Sequence, residues 1–200
     1  MPKYFTNFPK VKHTNEILVD ITKRAKFLNT IAQNPNVYLP YTIKDGETVE
    51  EISYLYYGTV DYVWMIYLAN NMIDPYKDWP MRDRELYAHI ADKYKDEYEE
   101  STGNTTYSAQ DVLNWTQDAT RNDNILFYRS LDSDEEIKLS PESYALGSKF
   151  DAALIGEDRW TPVRVFDAEV EANEDKRVIQ LINDVYAEQV AKEFESLMND

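Results

Sequence analysis

Tyr41-Thr42-Ile43-Lys44-Asp45-Gly46-Glu47-Thr48-Val49-Glu50-Glu51-Ile52-Ser53-Tyr54-Leu55-Tyr56-Tyr57-Gly58 is the stretch that decides how this chain folds. Tyr41-Thr42-Ile43 reads as a short strand, and Asp45-Gly46 turns the chain. Thr48-Val49-Glu50-Glu51 is a capping box. The Thr48 hydroxyl accepts from the Glu51 N–H, and the Glu51 carboxylate reaches back to the Thr48 N–H. A short helix follows, with Val49, Ile52 and Tyr56 on one face. Gly58 stops it, because glycine tolerates the left-handed position just past a helix end.

Working outward, a second helix is expected over about 60–70, with Val63, Ile66, Tyr67 and Asn70 along one side. Asn70-Asn71 ends it, and Asp74-Pro75 opens a loop that runs to Trp79-Pro80. The expected core here is Ile43, Ile52, Leu55, Val63, Ile66 and Leu68. Upstream, Ile17, Ile21, Ala25, Leu28 and Ala32 predict a helix over 15–33 capped by Asn15. Downstream, residues 82–98 predict a charged helix with Leu86, Ile90 and Tyr94. The stretch 101–106 lacks apolar residues and reads as a linker. Ile125-Leu126-Phe127-Tyr128 reads as a strand, and 132–136 as an acidic turn. Val163 to Ala172 alternates in part, and Val178–Ile182 looks like its hairpin partner across Asn173–Asp175. One helix through 167–182 is the alternative. A final amphipathic helix starts at Asp184, with Val185, Val190, Phe194 and Leu197.

At 200 residues the chain holds one domain or two small ones, and it can bury roughly 70% of its unfolded surface. It has no cysteine, which excludes disulfides, thiol nucleophiles and thiolate metal sites. Its net charge of −16 argues against general binding to nucleic acid or anionic membrane, which need a basic footprint. The charge is uneven. Residues 1–30 carry six basic and two acidic side chains, net +4, which leaves −20 on the rest. That fits a basic arm docking onto an acidic subunit, and equally a solvated basic helix face. Eleven of the sixteen tyrosines fall between Tyr38 and Tyr98. They suit either half-wet interfaces or a core with hydroxyls at its rim.

Motifs for catalysis are missing. There is no G-x-S-x-G, P-loop, G-x-G-x-x-G or H-E-x-x-H, and five glycines leave little for a phosphate loop. His13 and His89 are far apart in charged surroundings. Asp96, Glu97, Glu99 and Glu100 read as a solvated charge run. Asp132, Asp134 and Glu136 echo half a calcium loop without its glycine and closing glutamate. No enzyme activity, cofactor or metal is expected. No apolar run approaches a membrane span, and residues 1–9 lack the apolar region of a signal peptide.

The pattern Tyr41-x-Ile43-x-x-Gly46-Glu47-Thr48-Val49-x-x-Ile52, Tyr57-Gly58, Trp64, Leu68, Asn70 and Ile73 resembles a LysM module, which has a βααβ fold of about forty residues. Such modules close with a glycine-led second strand. Here only Asp78-Trp79-Pro80 stands near that place. A longer resemblance covers about 180 residues. Tyr4-Phe5-x-Asn7-Phe8-Pro9, Asp20-Ile21-Thr22-Lys23-Arg24, Asp45-Gly46-Glu47-Thr48, Tyr57-Gly58, Asp74-Pro75, Asp78-Trp79-Pro80 and Asn173-Glu174-x-Lys176-Arg177 together resemble a baseplate wedge subunit of T-even-like contractile-tailed phages, the LysM-containing family. That resemblance implies a structural virion protein of the tail baseplate, made in the bacterial host cytoplasm. It would join neighbouring wedges into the ring around the hub, with other baseplate wedge proteins as partners.

The fold expected is α+β: an N-terminal arm and helix (1–35), a LysM-like βααβ module (36–81), a charged helix (82–100), a linker (101–106), and a β-containing C-terminal region ending in a helix (107–200). Tyr4, Phe5, Phe8, Lys10 and Lys12 are the candidate partner interface, although residues 4–8 pairing as an edge strand within the chain is the alternative. The LysM resemblance also implies a groove between two loops, with Tyr41, Asp45, Gly46, Glu47, Thr48, Asn70, Asn71, Ile73, Asp74 and Tyr76 facing either an N-acetylglucosamine-containing glycan or a protein. Packing against a protein is expected, with the glycan as the alternative. One module alone offers no avidity, no export signal is seen, and neither flank carries a hydrolase motif.

Overall fold

The computed structural model describes residues 9–14, 16–20, 35–131, 137–150 and 159–199. The elements in chain order are β1 (Lys10–His13), β2 (Glu16–Val19), a 3-10 turn (Pro35–Val37), β3 (Tyr38–Thr42), α1 (Val49–Tyr57), a 3-10 turn (Val60–Tyr62), α2 (Val63–Ala69) and α3 (Pro75–Asp78). Then come α4 (Asp83–Lys93), α5 (Lys95–Thr102), α6 (Ala109–Gln117), β4 (Ile125–Ser130), β5 (Lys138–Leu139) and α7 (Pro141–Phe150). The chain ends with β6 (Trp160–Arg164), α8 (Val165–Asp175), β7 (Val178–Ile182) and α9 (Asp184–Asn199). This is a mixed α and β structure, as expected. Two compact units divide it: residues 1–80 with 176–200, and residues 81–175. Unlike the consecutive segments expected from the sequence, the first unit takes back the far end of the chain.

The first unit is built around the opening stretch. Thr48 and Glu51 form the capping box at the start of α1, and Gly58 ends it at φ 72°. The strand that closes the β-α-α-β arrangement is not near Asp78–Pro80. It is β7, which pairs antiparallel with β3 from Tyr38↔Ile182 to Thr42↔Val178. Ile43 N–H extends the ladder to Arg177 C=O at 2.9 Å. The hairpin expected between 163–172 and 178–182 is therefore absent. Residues 165–175 are helical because Phe166, Val170 and Asn173 fall on one face at helical spacing. The single-helix alternative holds to Asp175 and fails from Val178 on.

Two apolar clusters fill this unit. Ile43, Val49, Ile52, Ile66, Ile179 and Leu181 form one, with Tyr41, Tyr67 and Trp79 against it. Val37, Met65, Ile182, Ala187 and Val190 form the other, with Trp64 and Tyr186 beside them. Met65 and Ile66, adjacent on α2, serve one cluster each, so this helix is apolar on two sides. The Trp64 ring stacks on Phe194 with centroids 4.4 Å apart. Of the expected core, Ile43, Ile52 and Ile66 are buried, while Val63 and Leu68 are half-buried. Leu55 is 74% exposed. It flanks the buried stripe of Val49, Ile52 and Ser53 without belonging to it, and Tyr54 beside it is exposed too. Val185, expected on the apolar face of α9, is exposed as well, because the inward face runs through Ala187, Val190 and Phe194.

The helix expected over 15–33 gives way at its start to a strand. Glu16–Val19 pairs with Lys10–His13 in a hairpin, with Thr14 in the left-handed region at φ 52°. The β-branched Ile17 and Val19 favour an extended backbone. The rest of that expected helix, with Asn15 and residues 21–34, lies outside the described residues.

In the second unit the charged helix expected over 82–98 is two helices, α4 and α5, which meet at Tyr94. Ser101 and Thr102, expected in the linker, are the last turn of α5. Gly103, at φ 68°, caps it. A second capping box, Ser108 with Asp111, starts α6. Leu86, Ile90, Ala91, Tyr94, Tyr98, Val112, Trp115 and Val165 make the core. The expected strand at Ile125–Tyr128 forms and runs on to Ser130 as the centre of an antiparallel sheet ordered β5-β4-β6. The acidic turn at 132–136 lies outside the described residues. Asn173, 3% exposed, holds the backbone of Met81 in both directions: its Oδ1 accepts from Met81 N–H at 2.8 Å, and its Nδ2 donates to Met81 C=O at 3.0 Å.

Candidate functional site

Two loops of the first unit carry the residues that the sequence singled out. In the turn after β3, Gly46 takes φ 73°, a conformation that favours glycine. Glu47 organises this turn. Its carboxylate accepts from the Tyr41 hydroxyl at 2.8 Å and from the Lys44 N–H at 3.0 Å. Burial first, and then the Glu47 carboxylate, push the Tyr41 hydroxyl up to about 12. Asp45 pairs with Arg177 at 3.2 Å, and Thr48 is occupied as the cap of α1.

In the second loop Asn71 has a positive φ of 54°. The Asp78 carboxylate accepts from the N–H groups of Ile73 and Asp74 at 2.7 and 2.9 Å. These backbone bonds hold its carboxyl below the ordinary carboxylate range. Asp74 caps α3, accepting from Tyr76 N–H. Ile73 and Tyr76 stand in solvent, and Tyr76 is 91% exposed.

Trp79 links the loops: its indole N–H donates to Glu47 C=O at 3.1 Å, and its ring meets Tyr67 edge-on. The backbone donors at Ile73 and Asp74, and the carbonyl of Glu47, therefore already have partners within the chain.

Asn70 has a different task. Its Nδ2 donates to Gln180 C=O at 2.9 Å, and its Oδ1 accepts from Gln180 N–H at 2.7 Å. The side-chain amide thus stands in for a neighbouring strand beside β7. Asn70, Asn71 and Ile73 line a shallow cleft of about 370 Å³ together with Met72, Asp78, Lys176, Val178 and Ile179. Sequence reasoning missed Lys176 and Val178 as neighbours of this loop. No local signal could have shown them, since they lie about a hundred residues along the chain.

Of the candidate partner interface, Lys10 and Lys12 are on β1, exposed and on one face of the hairpin. Tyr4, Phe5 and Phe8 lie outside the described residues. Among the described residues, no group of three or more His, Asp or Glu side chains is placed to hold a metal ion, and no helix is long and apolar enough to cross a membrane.

A family model described as Base plate wedge protein 53 matches residues 5–196. No curated protein matches the chain.

Proposed function

The chain belongs to the Base plate wedge protein 53 family, and from that premise we propose that it joins neighbouring wedges into the ring around the hub through protein–protein contacts. Family membership itself makes it a structural protein of the phage tail baseplate. The observation that carries the finer reading is the match over nearly the whole chain, residues 5–196, which takes in the basic N-terminal segment as well as both units. The partners in this reading are other wedge proteins, on both sides of a wedge boundary. The N-terminal residues Tyr4, Phe5, Phe8, Lys10 and Lys12 serve as one tether: aromatics are common interface anchors, and the lysines steer toward an acidic surface.

The β3-α1-α2-β7 arrangement is, in the same reading, a LysM-like module whose second strand comes from the far end of the chain. Its groove is used for packing rather than for sugar. The support is that the donors a sugar would need at Ile73 and Asp74 are held by Asp78, while Trp79 occupies the Glu47 carbonyl. Exposed Ile73 and Tyr76 suit a protein surface.

The test is assembly of tails with and without the chain. Without it, wedges are expected to accumulate separately, and adding the purified protein is expected to join them into rings seen by electron microscopy. Rings forming equally well without it would end this proposal. Calorimetry with a chitin pentamer tests the rival directly: affinity no tighter than millimolar is expected, and micromolar binding would favour a glycan site.

A further inference from the structure

Strand edges are hazards that folded proteins blunt with proline, short length, charge or covering groups. Here β3 carries Pro40, which has no N–H to offer. The outward groups of β7 are taken at two positions, Gln180 by Asn70 and the Ile182 carbonyl by the Tyr57 hydroxyl. In the second unit β5 is two residues long and β6 contains Pro162. The hairpin differs.

Asp20 N–H donates to Pro9 C=O at 2.8 Å, which fixes the phase of the ladder. The hydrogen-bonded pairs are then 9↔20, 11↔18 and 13↔16, since these alternate with non-bonded pairs. The N–H and C=O groups of Lys10, Lys12, Ile17 and Val19 therefore point outward. On β1 the outward positions are lysines, a familiar edge guard. On β2 they are Ile17 and Val19, with no such guard. Ile17 is 73% exposed, and Val11, Leu18 and Val19 are exposed too. A two-stranded ribbon with this little cover is marginal in water on its own.

We infer that the outer edge of β2, Glu16–Val19, accepts an extended segment of another baseplate protein as a third strand, with carboxylates on that segment facing Lys10 and Lys12. Charge identifies the occupant. The pairs Lys10↔Val19 and Lys12↔Ile17 put both lysines on the face that carries Ile17 and Val19. A strand laid beside β2 places alternate side chains next to that face, within reach of the long lysine stems. Backbone bonds to Ile17 and Val19 supply the docking, and the lysines supply the choice of an acidic partner. This inference rests on the reading of the chain as a wedge-joining subunit.

The test uses full-length protein and assembled baseplates. Hydrogen exchange should show the Ile17 and Val19 amides fast in the purified chain and protected in the baseplate. Val19→Pro removes one outward donor and no bond within the hairpin. It should leave the melting curve unchanged while lowering incorporation by about tenfold or more. Raising salt should weaken incorporation further. If wild type enters baseplates while these amides stay fast and Val19→Pro enters equally well, the inference is overturned and the wedge-joining reading stands. If wild type itself does not enter, it is that reading which fails. A purified chain that dimerises through β2, and more strongly as salt rises, also overturns the inference, since the edge would then serve a second copy.

Discussion

The unit made of residues 1–80 and 176–200 and the unit made of residues 81–175 close themselves in opposite ways. The continuous unit pairs its strands within its own stretch of chain, and one buried asparagine, Asn173, ties its last helix back to its first residue, Met81. The split unit begins its β-α-α-β arrangement at Tyr38 and waits until Val178 for the strand that completes it. There an asparagine, Asn70, again fastens the join, but at a half-exposed strand edge rather than in a core. The lesson is that the same side-chain device holds a long-range closure in both. How much each closure is worth should follow from how dry it is.

The two cores should respond alike and most strongly to truncation. Ile52→Ala in the split unit and Ile90→Ala in the continuous one should each cost about 2–5 kcal/mol in urea melts, since both side chains are fully buried. Leu55→Ala, three residues from Ile52, should cost under about 0.5 kcal/mol. A loss below that level for Ile52→Ala would break the β-α-α-β description.

The asparagines sharpen the contrast. Asn173→Ala removes a buried side chain that serves both the N–H and the C=O of half-buried Met81, and should cost about 2–3 kcal/mol. Asn70→Ala leaves Gln180 near water and should cost about 1 kcal/mol. Equal losses would mean that burial does not separate the two joins.

A third pair should show no contrast. Gly58 and Gly103 end helices in the left-handed region, and a Cβ on either would meet nothing within 4 Å. Alanine at each should cost about 1 kcal/mol, from the backbone alone. A much larger loss at one of them would point to a contact that the structure does not contain.

The smallest effect is electrostatic and belongs to the continuous unit. Glu169 accepts from Lys93 at 2.6 Å and from the Tyr94 hydroxyl at 2.7 Å. Burial pushes its carboxyl up, but these bonds outweigh it and leave the group below its ordinary value of 4.5. A carboxyl depressed in the folded state stabilises above its unfolded value, and the gain is lost as pH falls through the folded one. The advantage of wild type over Glu169→Gln in urea melts should therefore be present at pH 7 and shrink below about pH 4.5. An advantage that grew toward acid pH would reverse the assignment.

What was legible in the sequence follows the same divide between local and distant. The capping box at Thr48, the stop at Gly58 and the buried Ile43, Ile52 and Ile66 could be read because each depends on residues within one or two turns. The partner of β3 could not, because Val178–Ile182 looks like a strand without saying to what it pairs, and Asn173–Asp175 imitates a hairpin turn. Leu55 misled because it stands three residues from Ile52, a spacing that suits the buried face although the stripe runs through Val49, Ile52 and Ser53. Ile17 misled because its spacing to Ile21 and Ala25 suits a helix, while its neighbours Leu18 and Val19 suit a strand. Within the candidate groove, Asn70 could be named but its task could not, since Gln180 is 110 residues away. The family was legible through motif order along the chain, and the match over residues 5–196 agrees with it.

Imaging the protein inside an intact tail before contraction is the decisive measurement of whether it joins wedges. Each copy is expected to touch subunits of two adjacent wedges. A copy whose contacts all lie within a single wedge would contradict this.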